Sequence, residues 1–451
     1  MSGSLAPNAS VIYYAAGDTA FQSGLFLAIY RAIDDNNVNI LNVSYSACEQ
    51  ELGAAGNQQV LNAWEQAAAQ GITVTVSSGD NGSAGCDNQN TATAATGGFG
   101  VNGLASTPYN IAVGGTDFDV LSGKFSTYVG SSSMAPYTTA LSYIPENSWN
   151  DSTSVNSTLA SNVALLSNGS TSIWVGSGGA SRASNGSTGY AKPAWQQQFS
   201  PSDTDTVRDL PDVSLFSGAG HYGALWALCE NSDCAEGAGS SIHGVGGTSA
   251  AAPAFAGMLA LINQKVGAST RLGQANWILY DLAAAAPGAF HQITTGNNSV
   301  VCKSGSPDCG SNDFMTGYNA GSGYNLATGL GSVDVSKLIQ AWGDDSLTAT
   351  STSLSLGQTT FTHGTPVGIS VAVTPSGTGS VAIETNYASQ AAATGGVSPT
   401  SLTLSGGTAS GSYGQFPGGS YNVTANYGGD GSHSGSVSQP VQVTVSPRTA
   451  F

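Results

Sequence analysis

The feature that most constrains this chain is the order in which its apolar runs change period. Short β-branched runs, VNILNVSYS, ITVTVSSGD and YNIAVGGTD, are interleaved with longer helical ones, DTAFQSGLFLAIYRAIDD and GNQQVLNAWEQAAAQG. The first kind is short and β-branched and closes in polar turns; the second repeats its apolar residues every three to four positions. Strand–helix–strand order means parallel strands with crossover helices, and hence a doubly wound parallel sheet with helices on both faces. SVIYYAA (Ser10–Ala16) reads as the first strand. Ligands of such sheets gather beyond the carboxyl ends of the strands, which makes SSGD and AVGGTD the candidate functional edge.

Residues Ser122–Thr206 are rich in Ser, Gly and Asn and read as long surface loops, before RDLPDVSLF restores a strand and TRLGQANWILYDLAAAA a helix. From Thr348 the pattern changes to short alternating runs such as GISVAVTPSG, GSVAIETNY and SYNVTANYGGDG, separated by Gly, Asn and Pro turns. That is a β-sandwich of about one hundred residues. The expected organisation is an α/β domain over residues 1–343 and an all-β sandwich over 348–447.

Charge narrows the function classes. Ten Lys and Arg face 27 Asp and Glu, a net charge of -17. Nucleic acid and anionic membrane are poor partners for such a surface, and no run is apolar and long enough to span a bilayer. Full protonation would leave only the 10 basic residues and 5 histidines charged, so self-repulsion in acid stays small and the chain is expected to tolerate low pH. Six cysteines in a Gly- and Ser-rich chain suggest an oxidising, extracellular setting. Proximity favours Cys229–Cys234 and Cys302–Cys309, leaving Cys48 with Cys86, although six cysteines allow fifteen connectivities. The triplets N-x-S/T, Asn42-Val43-Ser44 among them, need no functional reading in so Ser- and Asn-rich a chain.

One junction carries chemistry. In GVGGTSAAAPAFAGMLALI (Gly244–Ile262) two glycines and Thr248-Ser249 lead straight into an apolar helix. A serine there sits among unpaired N–H groups at the positive end of the helix, a place that suits a cap and a nucleophile alike, and the residues alone favour the cap. Pro253 fits the first turn of that helix, where its missing N–H costs nothing. For Asp80 in SSGD the bland alternative is an Asx-turn after a strand.

The segment GTSAAAPAFAG closely resembles the nucleophile segment shared by subtilisin-like and sedolisin-like serine peptidases. Subtilisins need a histidine upstream of the serine. Here the upstream histidines, His221 and His243, lack the HGT context, and the HGT at His363–Thr365 falls inside the sandwich. The sedolisins, which use a carboxylate as general base, fit better. APNASVIYYAA, NVSYSACEQE, VSSGDNGSAGC, STPYNIAVGGTDF, YIPENSWN, GSGGASR, YAKPAWQQQF, RDLPDVSLF and GYNLATGLGSVDV resemble that family's landmarks in family order, over roughly Leu5–Trp342. The sandwich, above all YNVTANYGGDGSHSGSVS, resembles bacterial Ig-like repeats. The resemblance implies a secreted, monomeric endopeptidase acting on polypeptide substrates in acid. Ser249 would be the nucleophile and Asp80 the oxyanion stabiliser, with the backbone at Gly178 and Gly179 receiving the peptide.

Two departures stand out. The family's glutamate base and its aspartate partner lie just before the segment that APNASVIYYAA resembles, and MSGSL contains no acid. Glu49 and Glu51 belong to another landmark and do not replace them. The sequence is therefore expected to be N-terminally incomplete, and the rival expectation is a non-catalytic peptide- or surface-binding protein. The family's calcium site maps onto Gln292, Ile293, Gly321, Gly323 and Asn325, with amides where two carboxylates belong. Calcium affinity follows ligand charge, so binding is expected to be weak or absent.

Overall fold

The computed structural model describes residues 1–130, 140–152, 172–182, 189–197, 205–218, 220, 224–228, 243–267, 271–343, 348–385, 400–430 and 432–447. Strands β1 (Ile40–Val43), β2 (Thr73–Ser77) and β3 (Ile111–Asp117) lie side by side in parallel, with Asn42 opposite Thr75 and Val76 opposite Ala112. Short strands β4 (Asn147–Ser148), β5 (Gly179–Ala180) and β6 (Asp209–Leu210) mark the connections that follow, and β7 (Val213–Phe216) returns to pair in parallel with β3. This is the doubly wound parallel sheet expected from the sequence.

Its two faces are separated by the two-residue period of the strands. Val43, Val74, Val76 and Ala112 face α2 (Gly24–Asp35) and α3 (Glu49–Ala69), packing with Ile29, Ile33, Val60 and Trp64. Ile111, Val113, Val213 and Leu215 face the other way, toward Phe255, Leu259 and Leu279 of α6 (Thr248–Val266) and α7 (Asn276–Ala285). α6 is apolar nearly all round. Its run of alanines lets it lie close on β1, β2, β3 and β7 together, as a buried central helix must. Fully burying a side chain such as Phe255 or Leu259 contributes about 2 kcal/mol. One-turn α1 (Ser2–Leu5) lies against α6, with Ser2 Oγ donating to the Pro253 carbonyl at 2.7 Å.

RDLPDVSLF is architectural. The Arg208 and Asp212 side chains are both wholly buried and meet at 2.6 Å. Asp212 also accepts from the Ala112 N–H at 2.7 Å and the Tyr280 hydroxyl at 2.9 Å, which ties the β6–β7 corner to β3 and α7. A buried pair of this kind is held by its full set of hydrogen bonds rather than by Coulomb attraction alone.

Four expectations change. Ser10–Ala16 forms no strand: Val11 is 69% and Tyr13 89% exposed, because no neighbouring ladder takes up their backbone groups. The helix after it begins only at Gly24, since Asp18 and Ser23 use their side-chain oxygens to cap it, while Thr19 accepts from the Gln22 N–H and holds the preceding residues in a turn. Pro253 stands at the sixth residue of α6 rather than in its first turn. The loop region contains α4 (Leu121–Tyr128) and α5 (Ala194–Gln197) as well as β4 and β5.

The sandwich is present. Ser351–Leu356, Val367–Thr374 and Thr408–Tyr413 form one antiparallel sheet; Thr360–Thr362, Val441–Ser446, Gly419–Tyr427, Ser380–Thr385 and Thr400–Thr403 form the other. Val367, Ile369, Val371 and Val373 point inward at every second residue, against Val381, Ile383 and Val423. It touches the α/β domain at the end of α3, where Ser380 Oγ donates to Glu65 at 3.0 Å.

Candidate active site

β2 runs into the turn Ser78–Gly79–Asp80, and α6 starts beside it. Gly79 (φ 117°) and Gly247 (φ 95°) occupy conformations that glycine enters at little cost. Residues 175–177 pin the turn from behind. The Val175 N–H reaches the Asp80 carbonyl at 3.0 Å, the Ser177 N–H reaches the Gly79 carbonyl at 2.9 Å, and Ser78 Oγ reaches the Ser177 carbonyl at 2.6 Å.

The Asp80 carboxyl is buried. Its Oδ1 accepts from the Thr248 N–H at 2.8 Å and from Thr248 Oγ1 at 2.7 Å. Its Oδ2 stands 2.7 Å from where a β-carbon on Gly247 would be, so this approach requires glycine there. Ser249, the next residue, is exposed in the first turn of α6, whose N–H groups have no regular helical acceptor. Asp80 and the segment that carries Ser249 are thus joined through Thr248 at the carboxyl edge of the sheet. Burial pushes the Asp80 carboxyl above its ordinary range, and the two Thr248 bonds pull it part of the way back. A protonated Asp80 is a hydrogen-bond donor at a helix N-terminus, bonded to the residue before an exposed serine, a constellation that can hold a developing oxyanion.

Glu49, set aside in the sequence reading, closes this edge. It is the first residue of α3 and almost fully buried; Oε1 accepts from Ser181 Oγ at 2.6 Å and Oε2 from the Arg182 N–H at 2.8 Å. The disulfide Cys48–Cys86 joins the residue before it to the loop after Asp80. No sequence signal gave this role, because the partners are 132 and 133 positions away. Gly178 and Gly179 are buried behind the turn; the Gly178 carbonyl accepts from Asn298 Nδ2 at 3.0 Å and Gly179 pairs with Leu210. Cys302–Cys309 is also formed, whereas Cys229, Cys234 and His221 lie outside the described residues.

Residues aligned with the calcium site do lie together, and both side-chain amide oxygens and the Gly321 carbonyl are already engaged. Gln292 Oε1 accepts from Ser322 Oγ at 3.2 Å and from the Gly323 N–H at 3.4 Å. Asn325 Nδ2 donates to the Gly321 carbonyl at 3.2 Å, while its Oδ1 takes the Ala327 N–H, the Thr328 N–H and Thr328 Oγ1 at 2.9–3.1 Å. Ile293 is buried beside them. With no carboxylate in the set and an amide N–H aimed at one of the carbonyls, these residues do not fit a calcium ion.

Residues 2–277 match the subtilase family, and residues 354–446 match the bacterial Ig-like domain (group 3). The chain is 31% identical to sedolisin of Pseudomonas sp. (strain 101) over 337 residues, 73% of this chain and 45% of that protein. It is 29% identical to kumamolisin of Bacillus sp. (strain MN-32), over 76% of this chain and 49% of that protein. Xanthomonalisin of Xanthomonas sp. (strain T-22) follows at 28%, over 70% and 33%. The chain therefore spans half or less of the length of these relatives.

Proposed function

The chain belongs to the subtilase family, and on that premise we propose that its α/β domain is a serine-type endopeptidase working in acid outside the cell. Ser249 attacks the peptide carbonyl, and protonated Asp80 with a first-turn N–H of α6 receives the oxyanion. The carrying observation is the pair of hydrogen bonds by which Asp80 grips Thr248, the residue before the serine, while its own carboxyl is pushed toward protonation. Burial also raises the carboxyls of Glu49 and of Asp117, the latter to about 7. Groups raised in this way bind protons more tightly in the native than in the unfolded chain, so they stabilise the fold as pH falls. The two disulfides among the described residues and the scarcity of charge support an extracellular setting. Monomeric action on polypeptides accords with the exposure of Ser249, and the engaged amides at Gln292 and Asn325 leave calcium no part in the reading.

The serine's proton needs a base, and residues 1–5 carry no acid. α1 runs along α6 with Ser2 bonded to Pro253, about one helical turn from Ser249. A carboxylate supplied along that flank would complete the site. The same observation favours a second reading, a peptide-binding protein with a catalytically silent groove.

The test is turnover of a denatured protein at pH 3–5 beside Ser249→Ala. Turnover above that control supports the peptidase. Equal background in both proteins refutes it for this chain and leaves the binding reading.

A further inference from the structure

Pro253 opens a gap in the hydrogen-bond ladder of α6, and the gap falls on the nucleophile. In a regular helix the Ser249 carbonyl would accept from the N–H four residues on; that residue is Pro253, which has none. Ser44, on the loop leaving β1, fills the vacancy: its Oγ donates to the Ser249 carbonyl at 2.8 Å. Ser44 is itself oriented. Asn42 Nδ2 donates to Ser44 Oγ at 3.1 Å, which occupies a lone pair and leaves the hydroxyl proton for the carbonyl. Thr75 Oγ1 donates in turn to Asn42 Oδ1 at 3.0 Å; the two are register partners across β1 and β2, and Thr75 is wholly buried. Three hydrogen bonds of one polarity thus run from the sheet interior to the backbone of Ser249.

The geometry points to Ser44, oriented by Asn42 and Thr75, as the positioning residue that fixes the Ser249 backbone and so aims its hydroxyl at the substrate carbonyl. This rests on the reading of Ser249 as the nucleophile. The relay needs no contact with substrate. It keeps the first turn of α6 from yielding where proline has removed the internal bond, and a nucleophile displaced by a fraction of an ångström loses much of its advantage. Ser44 and Ser249 are both exposed, so water competes for the carbonyl while the edge is empty. A bound peptide removes that water, and the effect is therefore expected in attack on the carbonyl rather than in peptide affinity. The Asn42-Val43-Ser44 triplet, which carried no function in the sequence, supplies two of the three side chains.

The test compares a peptide aldehyde, which forms a hemiacetal with a poised serine, with the corresponding peptide alcohol, which only binds. Ser44→Ala is expected to weaken the aldehyde about five- to tenfold, the loss of one hydrogen bond, and to leave the alcohol unchanged. Pro253→Ala returns an N–H to the Ser249 carbonyl and is expected to restore the aldehyde in the double variant to within about twofold of Pro253→Ala alone. Ser44→Thr, which keeps the hydroxyl, is expected to match the parent. Parallel weakening of both ligands, equal loss in both backgrounds, or a threonine variant as poor as alanine would each overturn the assignment. If the parent itself shows no preference for aldehyde, the nucleophile reading falls. Ser44 is then judged by hydrogen exchange in the first turn of α6: faster exchange in Ser44→Ala, restored by Pro253→Ala, upholds the structural role, and unchanged exchange refutes it.

Discussion

Asp80 is the residue at which the structure makes its sharpest demand. Thr248 consumes Oδ1 with two hydrogen bonds, so Oδ2 alone is left to meet a ligand, and an oxygen there donates only when protonated. In Asp80→Asn the amide oxygen keeps both Thr248 bonds and Nδ2 takes the place of Oδ2 as a donor at every pH. In Asp80→Ala the donor is lost and the buried Thr248 groups lose their acceptor. Deleting one oxyanion donor costs about 100- to 1000-fold. At pH 4 the aldehyde-over-alcohol preference, measured by calorimetry, should therefore fall about a hundredfold in Asp80→Ala, and its melting temperature should drop. Asp80→Asn should retain most of the preference. The pH dependence separates the variants further: the parent should lose its preference as pH rises through the raised pKa of Asp80, whereas the asparagine variant should hold it to pH 7. A parent and an asparagine variant with superimposable pH profiles, or an alanine variant as selective as the parent, would refute Asp80 as the oxyanion donor.

Other predictions follow from the same geometry. Gly247→Ala places a β-carbon 2.7 Å from Asp80 Oδ2 in a backbone conformation that disfavours alanine, and should reduce aldehyde affinity by more than tenfold without weakening Cys48–Cys86. Asp117 is buried with Oδ2 unpartnered and its pKa is raised to about 7, with burial the main cause and Asp151 and Asp119 adding to it. The native state keeps that proton between about pH 4 and 7 while the unfolded chain releases it. Urea stability should therefore decline by up to about 4 kcal/mol across that window, and Asp117→Asn should flatten the decline. Calcium at millimolar concentration, or a chelator, should leave the melting temperature unchanged, whereas the Gln292→Asp, Asn325→Asp double variant should gain several degrees with calcium. A gain in the parent would refute the reading of the amide cluster.

The doubly wound sheet was legible because β1, β2 and β3 are short β-branched runs that lead into turns rich in Ser, Gly and Asp, and because α2 and α3 repeat at helical spacing. Ser249 and Asp80 were legible through short local patterns that place each at the end of an element. Their meeting through Thr248 was not, since it depends on a contact between residues 168 positions apart. The strand expected at Ser10–Ala16 failed for a related reason: propensity sets a strand's taste for extension, but a ladder partner decides whether it forms. Pro253 was misplaced by a turn because the glycines left the first helical residue undefined, and that single turn is what brings Ser44 into play.

The corner built by Gln292 and Asn325 has a consequence for where such a protein can work. A loop clamped by carboxylates around a metal dissolves once those acids take up protons, and it surrenders its ion to citrate or oxalate in the surroundings. Primary amides neither titrate in that range nor compete for the ion. A chain that replaces the one with the other keeps this part of its framework indifferent to souring and to scavengers alike.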